Sequence, residues 1–139
     1  IAALFGADPF QRPADLAERL RGLGVTQVAN LPSVQLHDAD FGRTLDAAGH
    51  GLAAEVRLMA ALAAAGFAVL GVVASAAAAE ALLAAGIDRL VLHPGLRPDA
   101  PALAALAAAL RPRCAELWLY RMPDVPTDPA RFDGEVLPP

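Results

Sequence analysis

The sequence is poor in aromatic residues and has one cysteine, and both shortages narrow the classes of protein to which it can belong. Phe, Trp and Tyr make up 5% of the chain, basic and aromatic residues do not alternate, and the net charge is −4. A nucleic-acid partner is therefore not expected. Cys114 has no second cysteine with which to form an internal disulfide, and this is typical of a reducing, cytoplasmic compartment.

Several sequence motifs are also missing. No pair of histidines or cysteines has the spacing of a zinc site. No Walker loop, Gly-x-Ser-x-Gly elbow or dinucleotide fingerprint follows an apolar run. Zinc, nicotinamide cofactors and serine-hydrolase chemistry are therefore not expected. No charged segment precedes an apolar one at the start of the sequence, so a signal peptide is not expected either.

The longest uncharged run, residues 58–79, is long enough to cross a membrane, but its interior indicates otherwise. Gly66 ends an alanine-rich helical pattern, and residues 67–73 are typical of a buried strand. Ser75 is a good N-cap for another alanine-rich helix. We therefore expect a helix, a strand and a helix here, and no membrane partner.

The rest of the chain alternates short apolar runs with amphipathic segments. The apolar runs predict five strands, at residues 1–5, 25–30, 67–73, 88–93 and 115–120. The amphipathic segments predict helices at residues 13–23, 40–49, 52–65, 75–85 and 99–110.

This alternation predicts an α/β fold with parallel strands, and leaves open either a compact open sheet or part of an eight-stranded barrel. Residues 1–120 would form the (β/α) domain. Residues 121–139 contain five prolines and would form an irregular C-terminal loop or tail at its periphery.

Polar side chains lie at or just after the carboxyl ends of three of the predicted strands: Asn30 and His93 end theirs, and Asp8 follows the first. Because the carboxyl ends of parallel strands lie at one edge, we expect these three to gather there. Asp8 could hold a divalent cation, act as a general base or stabilise its own turn. Asn30 could orient a substrate or fix its loop. His93 could transfer protons, donate to an oxyanion or be a hydrogen-bonded rim residue.

Glu55 is a further candidate, because it lies in an otherwise apolar helical stretch. Two roles are open for it. It could reach into the mouth of the sheet as an acid or base, or it could face solvent beside Arg57.

Four segments, taken in order, resemble one family. They are residues 6–10 (Gly-Ala-Asp-Pro-Phe), 28–34 (Val-Ala-Asn-Leu-Pro-Ser-Val), 52–56 (Leu-Ala-Ala-Glu-Val) and 93–96 (His-Pro-Gly-Leu). The chain is similar to the phosphoenolpyruvate hydrolase-like family of TIM-barrel proteins, which are also described as TIM-barrel signal transduction proteins. The resemblance implies a partial TIM barrel of about five strands, from the middle of the barrel.

The resemblance also implies a hydrolase or lyase acting on a small 2-oxo acid, phosphoenolpyruvate or phosphonopyruvate. The catalytic residues would be His93, Asp8 and Glu55, and Asp8 would also hold Mg²⁺. The substrate would be bound by Asn30, Gly6, Ser33, Gly95 and Arg121; Arg121 lies where family members have a His-Gly-Gly-Pro corner, and could supply charge in its place.

The alternative is a non-catalytic module that senses a metabolite or binds a protein partner in signalling. In either case we expect a small-molecule ligand. A homo-oligomer is compatible with the sequence, because five strands leave two sheet edges that need covering or pairing.

Overall fold

The computed structural model describes residues 1–6, 8, 10–123 and 125–137. Within these residues the predicted alternation of strands and helices is confirmed. The elements are β1 (Ala2–Ala3), α1 (Pro13–Gly22), β2 (Gln27–Ala29), α2 (Ala39–Ala47), α3 (Leu52–Ala64), β3 (Ala68–Val73), α4 (Ala76–Ala84), β4 (Arg89–Leu92), α5 (Ala100–Leu110), β5 (Glu116–Tyr120) and β6 (Gly134–Val136). Two short 3₁₀ turns, Val34–Leu36 and Pro129–Arg131, lie in loops.

The strands form one parallel sheet in the order β1-β2-β3-β4-β5-β6. A doubly wound sheet reverses its strand order at a switch point, whereas a barrel adds each new strand on the same side of the last one. The order here never reverses, and the sheet curls into a half-barrel. Of the two architectures that the sequence left open, the structure therefore has the partial TIM-barrel-like one.

The two faces of the sheet differ in what covers them. On one face, strand residues such as Val73 and Leu90 pack with helix residues such as Leu62 and Leu82 in the main core. The opposite face carries a smaller apolar cluster consisting of Ala29, Leu70, Val72 and Val91, with Leu31, Trp118, Tyr120 and Val136 packed against it. The alternation of side chains along each strand produces this division.

Local sequence signals fix the helix ends. Ser75 caps α4 as predicted, with its Oγ accepting a hydrogen bond from the Ala78 N–H at 3.2 Å. Gly24, Gly66 and Gly86 follow helices with φ values of +70°, +92° and +80°. This left-handed conformation, which glycine adopts without strain, lets the chain turn out of each helix into the next strand.

The uncharged run 58–79 divides as the sequence predicts. It contains the end of α3, all of β3 and the start of α4. Among the described residues, no helix combines the length and the apolar character needed to cross a membrane.

The structure differs from the sequence prediction after β5. Residues 134–136, predicted to belong to an irregular tail, form a sixth strand that pairs with β5 from Trp118↔Gly134 to Tyr120↔Val136. Val125 in the same segment is buried in the main core, so the segment is not peripheral. The prediction was wrong here because β6 is too short and polar to be recognised as a strand. Its pairing depends on contact with β5: Gly134 packs so closely against the Trp118 ring that a Cβ at residue 134 would lie 2.4 Å from it.

Candidate functional site

Glu55 lies on α3 and is fully buried, at 0% exposure. It faces neither solvent nor an open mouth. Its Oε1 accepts hydrogen bonds from Asn30 Nδ2 at 2.6 Å and Ser33 Oγ at 2.7 Å, and its Oε2 accepts one from the Val34 N–H at 2.8 Å. Burial raises the pKa of Glu55 above its ordinary value, and the bonds from Val34, Ser33 and Asn30 oppose that rise.

The loop after β2 is joined to β3 through side-chain amides. The Asn30 side chain accepts a hydrogen bond from the Val72 N–H at 2.6 Å and donates one to the Val72 carbonyl at 3.1 Å. Gln35 does the same one step further along, donating to the Val72 carbonyl at 3.0 Å and accepting from the Ala74 N–H at 2.8 Å. Both amides take the place of a backbone strand at the end of β3, where β2 has already turned away.

Ser33 connects the loop to the helix. It donates to Glu55 and accepts hydrogen bonds from the Gln35 backbone and side chain at 3.2 and 2.8 Å. With Asn30 these residues form a closed buried network, in which both Asn30 N–H groups and the Ser33 hydroxyl donate to protein acceptors. Such a network holds a loop in one position, because an unpaired buried polar group is unfavourable.

Gly6 packs directly against this network. A Cβ at residue 6 would lie 2.8 Å from Glu55 Cγ and 3.0 Å from its Cα. Only glycine lets the loop after β1 approach α3 so closely. Gly6 therefore contributes to the position of Glu55 through its lack of a side chain.

Asp8 is exposed, and its Oδ1 accepts a hydrogen bond from the Phe10 N–H at 2.9 Å. This is the turn-stabilising geometry that aspartate often adopts before a helix. Among the described residues no group of three or more His, Cys, Asp or Glu side chains could hold a metal ion. A magnesium site usually needs one or two carboxylates and further oxygen ligands. Arg57 lines the same cavity as Asp8, and a guanidinium beside a lone carboxylate does not suit a divalent cation; we derive no step through Mg²⁺.

His93 follows β4 and is buried, with 9% of its surface exposed. Its Nδ1 accepts a hydrogen bond from the Gly95 N–H at 2.9 Å. The proton of the neutral ring therefore lies on Nε2. Gly95 can turn back in this way because it has a φ of +81°. The ring is tilted by 31° against Tyr120, with centroids 4.5 Å apart, and burial lowers the pKa of His93.

Arg121 lies just after β5 and pairs with Glu135 of β6 at 2.6 Å. Its backbone N–H also donates to the Val136 carbonyl at 2.9 Å. Side chains alternate along the strand, so Arg121 and Tyr120 project from opposite faces of the sheet. The Arg121 charge is thus used to hold β6 against β5.

The three polar residues predicted to share a mouth all follow parallel strands, but they do not line one cavity. Asp8 lines a cavity of about 410 Å³ beside α3. His93 lines a different cavity, of about 160 Å³, beneath the loop between β4 and α5. Asn30 lines neither of these two cavities, and its side-chain amide donates hydrogen bonds to Glu55 and to the Val72 carbonyl.

Two residues that the sequence analysis did not select share the cavity of His93. They are Arg97 and Asp99, four and six residues further along the same loop. Asp99 caps α5, with its Oδ1 accepting from the Ala102 N–H at 3.1 Å. Arg97 is exposed and makes no ion pair or side-chain hydrogen bond within the described ranges. The available signal was their position: charged residues in a loop that follows a buried strand.

The sequence model of one family, described as phosphoenolpyruvate hydrolase-like, matches residues 1–117. The chain is 33% identical over 123 residues to the uncharacterised protein y4oT of Sinorhizobium fredii, an alignment that covers 88% of this chain and 61% of that protein.

Two tomato (Solanum lycopersicum) proteins are also similar. The ToMV resistance protein Tm-1(GCR237) is 31% identical and the ToMV susceptible protein tm-1(GCR26) is 30% identical, each over 110 residues. Each alignment covers 79% of this chain and 15% of the tomato protein. The chain thus spans less than two thirds of the length of these curated relatives. The family match covers most of the chain and agrees with the half-barrel fold: the chain belongs to the phosphoenolpyruvate hydrolase-like family.

Proposed function

We propose that this domain acts on a small 2-oxo acid or its enol relatives, such as phosphoenolpyruvate or phosphonopyruvate, in a reaction of the hydrolase or lyase type. The substrate binds at the carboxyl end of β4. The observation that carries the proposal is the bond from the Gly95 N–H to His93 Nδ1. It leaves the protonated Nε2 of His93 with no acceptor among the described residues.

A neutral imidazole suits an enolate intermediate. The keto oxygen of a 2-oxo acid gains negative charge as the enolate forms, and an N–H group fixed beside it stabilises that charge. Burial lowers the pKa of His93, so the ring stays neutral and keeps its Nδ1 bond at pH values where an exposed histidine would be protonated. The same burial strengthens the hydrogen bond from Nε2, because less water competes for it.

Arg97 and Asp99 supply the other two functions that this chemistry needs. The Arg97 guanidinium can form paired hydrogen bonds with a carboxylate or phosphonate. Asp99 uses Oδ1 to cap α5, which leaves Oδ2 to exchange a proton with C3. It takes that proton when pyruvate forms its enolate; with phosphoenolpyruvate or phosphonopyruvate, water takes the phosphoryl group as the P–O or P–C bond breaks, and the enolate left behind gains its proton at C3. The cavity of about 160 Å³ accommodates a small organic acid, given that one water occupies about 30 Å³.

The buried network has a positioning role in this proposal. Asn30, Ser33 and Glu55 hold the loop after β2, and Gly6 permits the close approach of the loop after β1. Asp8 lies in the other cavity and takes no part in the step at His93. The proposal assigns no step to the Mg²⁺ that the sequence resemblance implied, and the experiment below is therefore run both with and without it.

Deuterium exchange at the methyl group of pyruvate tests the proposal directly, because each enolate formed in D₂O exchanges a proton that NMR detects. We expect exchange above the protein-free rate, release of phosphate from phosphoenolpyruvate or phosphonopyruvate on longer incubation, and a melting temperature raised by each ligand. The measurements are repeated with and without Mg²⁺. Lack of both exchange and ligand stabilisation would refute the proposal.

Three variants separate the roles. His93→Leu should lose exchange, because it removes the donor. Asp99→Asn should lose exchange with an unchanged melting temperature, since asparagine caps a helix as well as aspartate does. Arg97→Gln should weaken binding, whereas the matched exposed variant Arg19→Gln should change nothing. Full exchange in Asp99→Asn would rule out Asp99 as the base.

The second candidate function is binding without turnover, as in a metabolite sensor. One observation favours it: three of the predicted site residues, Asn30, Ser33 and Glu55, are bonded to one another and to the backbone. These three side chains are therefore engaged within the protein, and the charged residues left to face a ligand, Arg97 and Asp99, both lie in the loop after β4. Such a set of residues suits binding of a ligand without cleavage of its bonds. Stabilisation by pyruvate or phosphonopyruvate without deuterium exchange or phosphate release would support this function over the enzymatic one.

A further inference from the structure

A second cavity, of about 410 Å³, lies between the loop after β1, the loop joining α2 to α3, and α3 itself. His93 does not line it, so it is separate from the site proposed above. Its polar lining consists of Asp8, Gln11, His50 and Arg57. These four side chains come from three different segments of the chain and meet only in the folded protein.

Arg57 supplies the positive charge on one side of this cavity, and His50 lines the cavity as well. Arg57 projects from the exposed face of α3, and its guanidinium has no ion pair or hydrogen bond in the part of the chain that the structure describes. His50 lies half-buried at the end of the loop before α3. A guanidinium that has no protein partner and lines a concave surface is well suited to a carboxylate.

The opposite side of the cavity is formed by acceptors. Asp8 engages only one carboxylate oxygen, Oδ1, with the Phe10 N–H. The Gln11 Oε1 atom is buried and finds no donor within the described ranges. Buried acceptors without a donor are rare in folded proteins, and they call for an explanation. Asp8 and Gln11 both line the cavity, and their two acceptor oxygens suit a group that only donates hydrogen bonds, such as an ammonium.

We propose that this cavity binds a small zwitterion of the amino-acid type. Its carboxylate pairs with Arg57, supported by His50, and its ammonium group donates to Gln11 Oε1 and to Asp8. The Gln11 acceptor is thereby satisfied, and the charge of Asp8 is balanced by the ligand. Neither an anion alone nor an amine alone pairs with both sides of the cavity, so both groups on one molecule are required.

Ligand-observed NMR in the millimolar range with the full chain tests this inference. The probes are L-alanine, L-leucine and L-glutamine, each compared with the carboxylic acid that lacks its amino group. We expect at least one amino acid to bind and its amine-free partner to bind about tenfold more weakly or worse. Equal binding of the two partners, or no binding of any amino acid, would overturn the proposal.

Variants locate the binding. Arg57→Gln should weaken it about tenfold, whereas Arg19→Gln, an exposed arginine on α1, should leave it unchanged. Gln11→Leu should weaken binding without lowering the melting temperature, because it removes an acceptor that has no partner in the free protein. Binding that survives both Arg57→Gln and Gln11→Leu would show that the ligand lies elsewhere.

The two proposed sites can fail independently. His93→Leu should abolish deuterium exchange of pyruvate and leave amino-acid binding intact. Arg57→Gln should have the opposite effect. Loss of amino-acid binding in folded His93→Leu protein would place the amino acid in the cavity of His93, and would refute the assignment to this second cavity.

Discussion

Replacing Asn30 with alanine should destabilise the protein by several kcal/mol, because this side chain completes the pairing between β2 and β3. Its amide donates to Glu55 Oε1 at 2.6 Å and to the Val72 carbonyl at 3.1 Å, and accepts from the Val72 N–H at 2.6 Å. Alanine removes all three bonds. It also leaves the N–H of Val72, a residue that is 2% exposed, without its acceptor.

The magnitude follows from these three bonds. A neutral hydrogen bond contributes about 0.5–1.5 kcal/mol net, and a bond to a charged group about 1.5–3 kcal/mol. Two bonds to Val72 and one to Glu55 therefore amount to about 2.5–6 kcal/mol. Since domains are stable by about 5–15 kcal/mol, and urea slopes are about 1–3 kcal/mol per molar, the unfolding midpoint should fall by about 2 M.

Equilibrium urea unfolding followed by circular dichroism measures this change. The control is Thr44→Ala, an exposed helix position whose loss should stay within about 0.5 kcal/mol. Hydrogen exchange adds a local measurement, because the Val72 N–H should exchange faster in Asn30→Ala by more than the global destabilisation explains. An Asn30→Ala midpoint equal to that of the control would refute the view that the network stabilises the fold.

Three further perturbations test neighbouring parts of the structure. Gly95→Ala should reduce His93-dependent deuterium exchange, because a Cβ strains the left-handed turn that brings the residue 95 N–H to His93 Nδ1. The control is Gly86→Ala, at an almost identical φ, which should lower stability by about 1 kcal/mol and leave exchange unchanged. Gly6→Ala should destabilise by about 1–3 kcal/mol in urea unfolding, because its Cβ meets Glu55, and a neutral result would show that the loop shifts freely. Because burial raises the pKa of Glu55, its contribution to the free energy of unfolding is complete below the ordinary value of 4.5 and is lost as pH rises through the raised pKa. Urea titrations at several pH values across this range should therefore show a free energy of unfolding that falls as pH rises in the native chain. The Glu55→Gln variant should not show this fall.

The fold was predictable from the sequence wherever the signal is local. The five predicted strands and the helices are all found, because the strands carry apolar residues on both faces of the sheet and their sequences are therefore nearly continuous apolar runs. Ser75 and the glycines after the helices set the boundaries through their own backbone preferences. The sixth strand was missed because residues 134–136 have no such pattern. They pair with β5 because Asp133 accepts from the Leu117 N–H and Trp118 covers Gly134, contacts that exist only after folding.

The candidate site was predictable only in part. Sequence order placed Asp8, Asn30 and His93 after strands, and the structure agrees. Sequence order does not tell in which direction a side chain points once its strand has ended. Asn30 turns to pair with β3, and Asp8 caps its own turn. Arg97 escaped notice because an exposed arginine in a loop is ordinary until a cavity is seen beside it.

Burial and a shifted pKa, the two features that most often mark a catalytic group, are shared by Glu55 and His93 but have different meanings in the two residues. Both oxygens of Glu55 accept hydrogen bonds from the protein, and the Asn30 and Ser33 side chains that donate to them are also bonded to Val72 and Gln35. A substrate could engage Glu55 only by displacing those bonds. His93 uses one ring nitrogen to fix its orientation and retains the other as a donor. Unused hydrogen-bonding capacity, more than burial, therefore separates the residue that can act on a ligand from the residue that holds the framework in place.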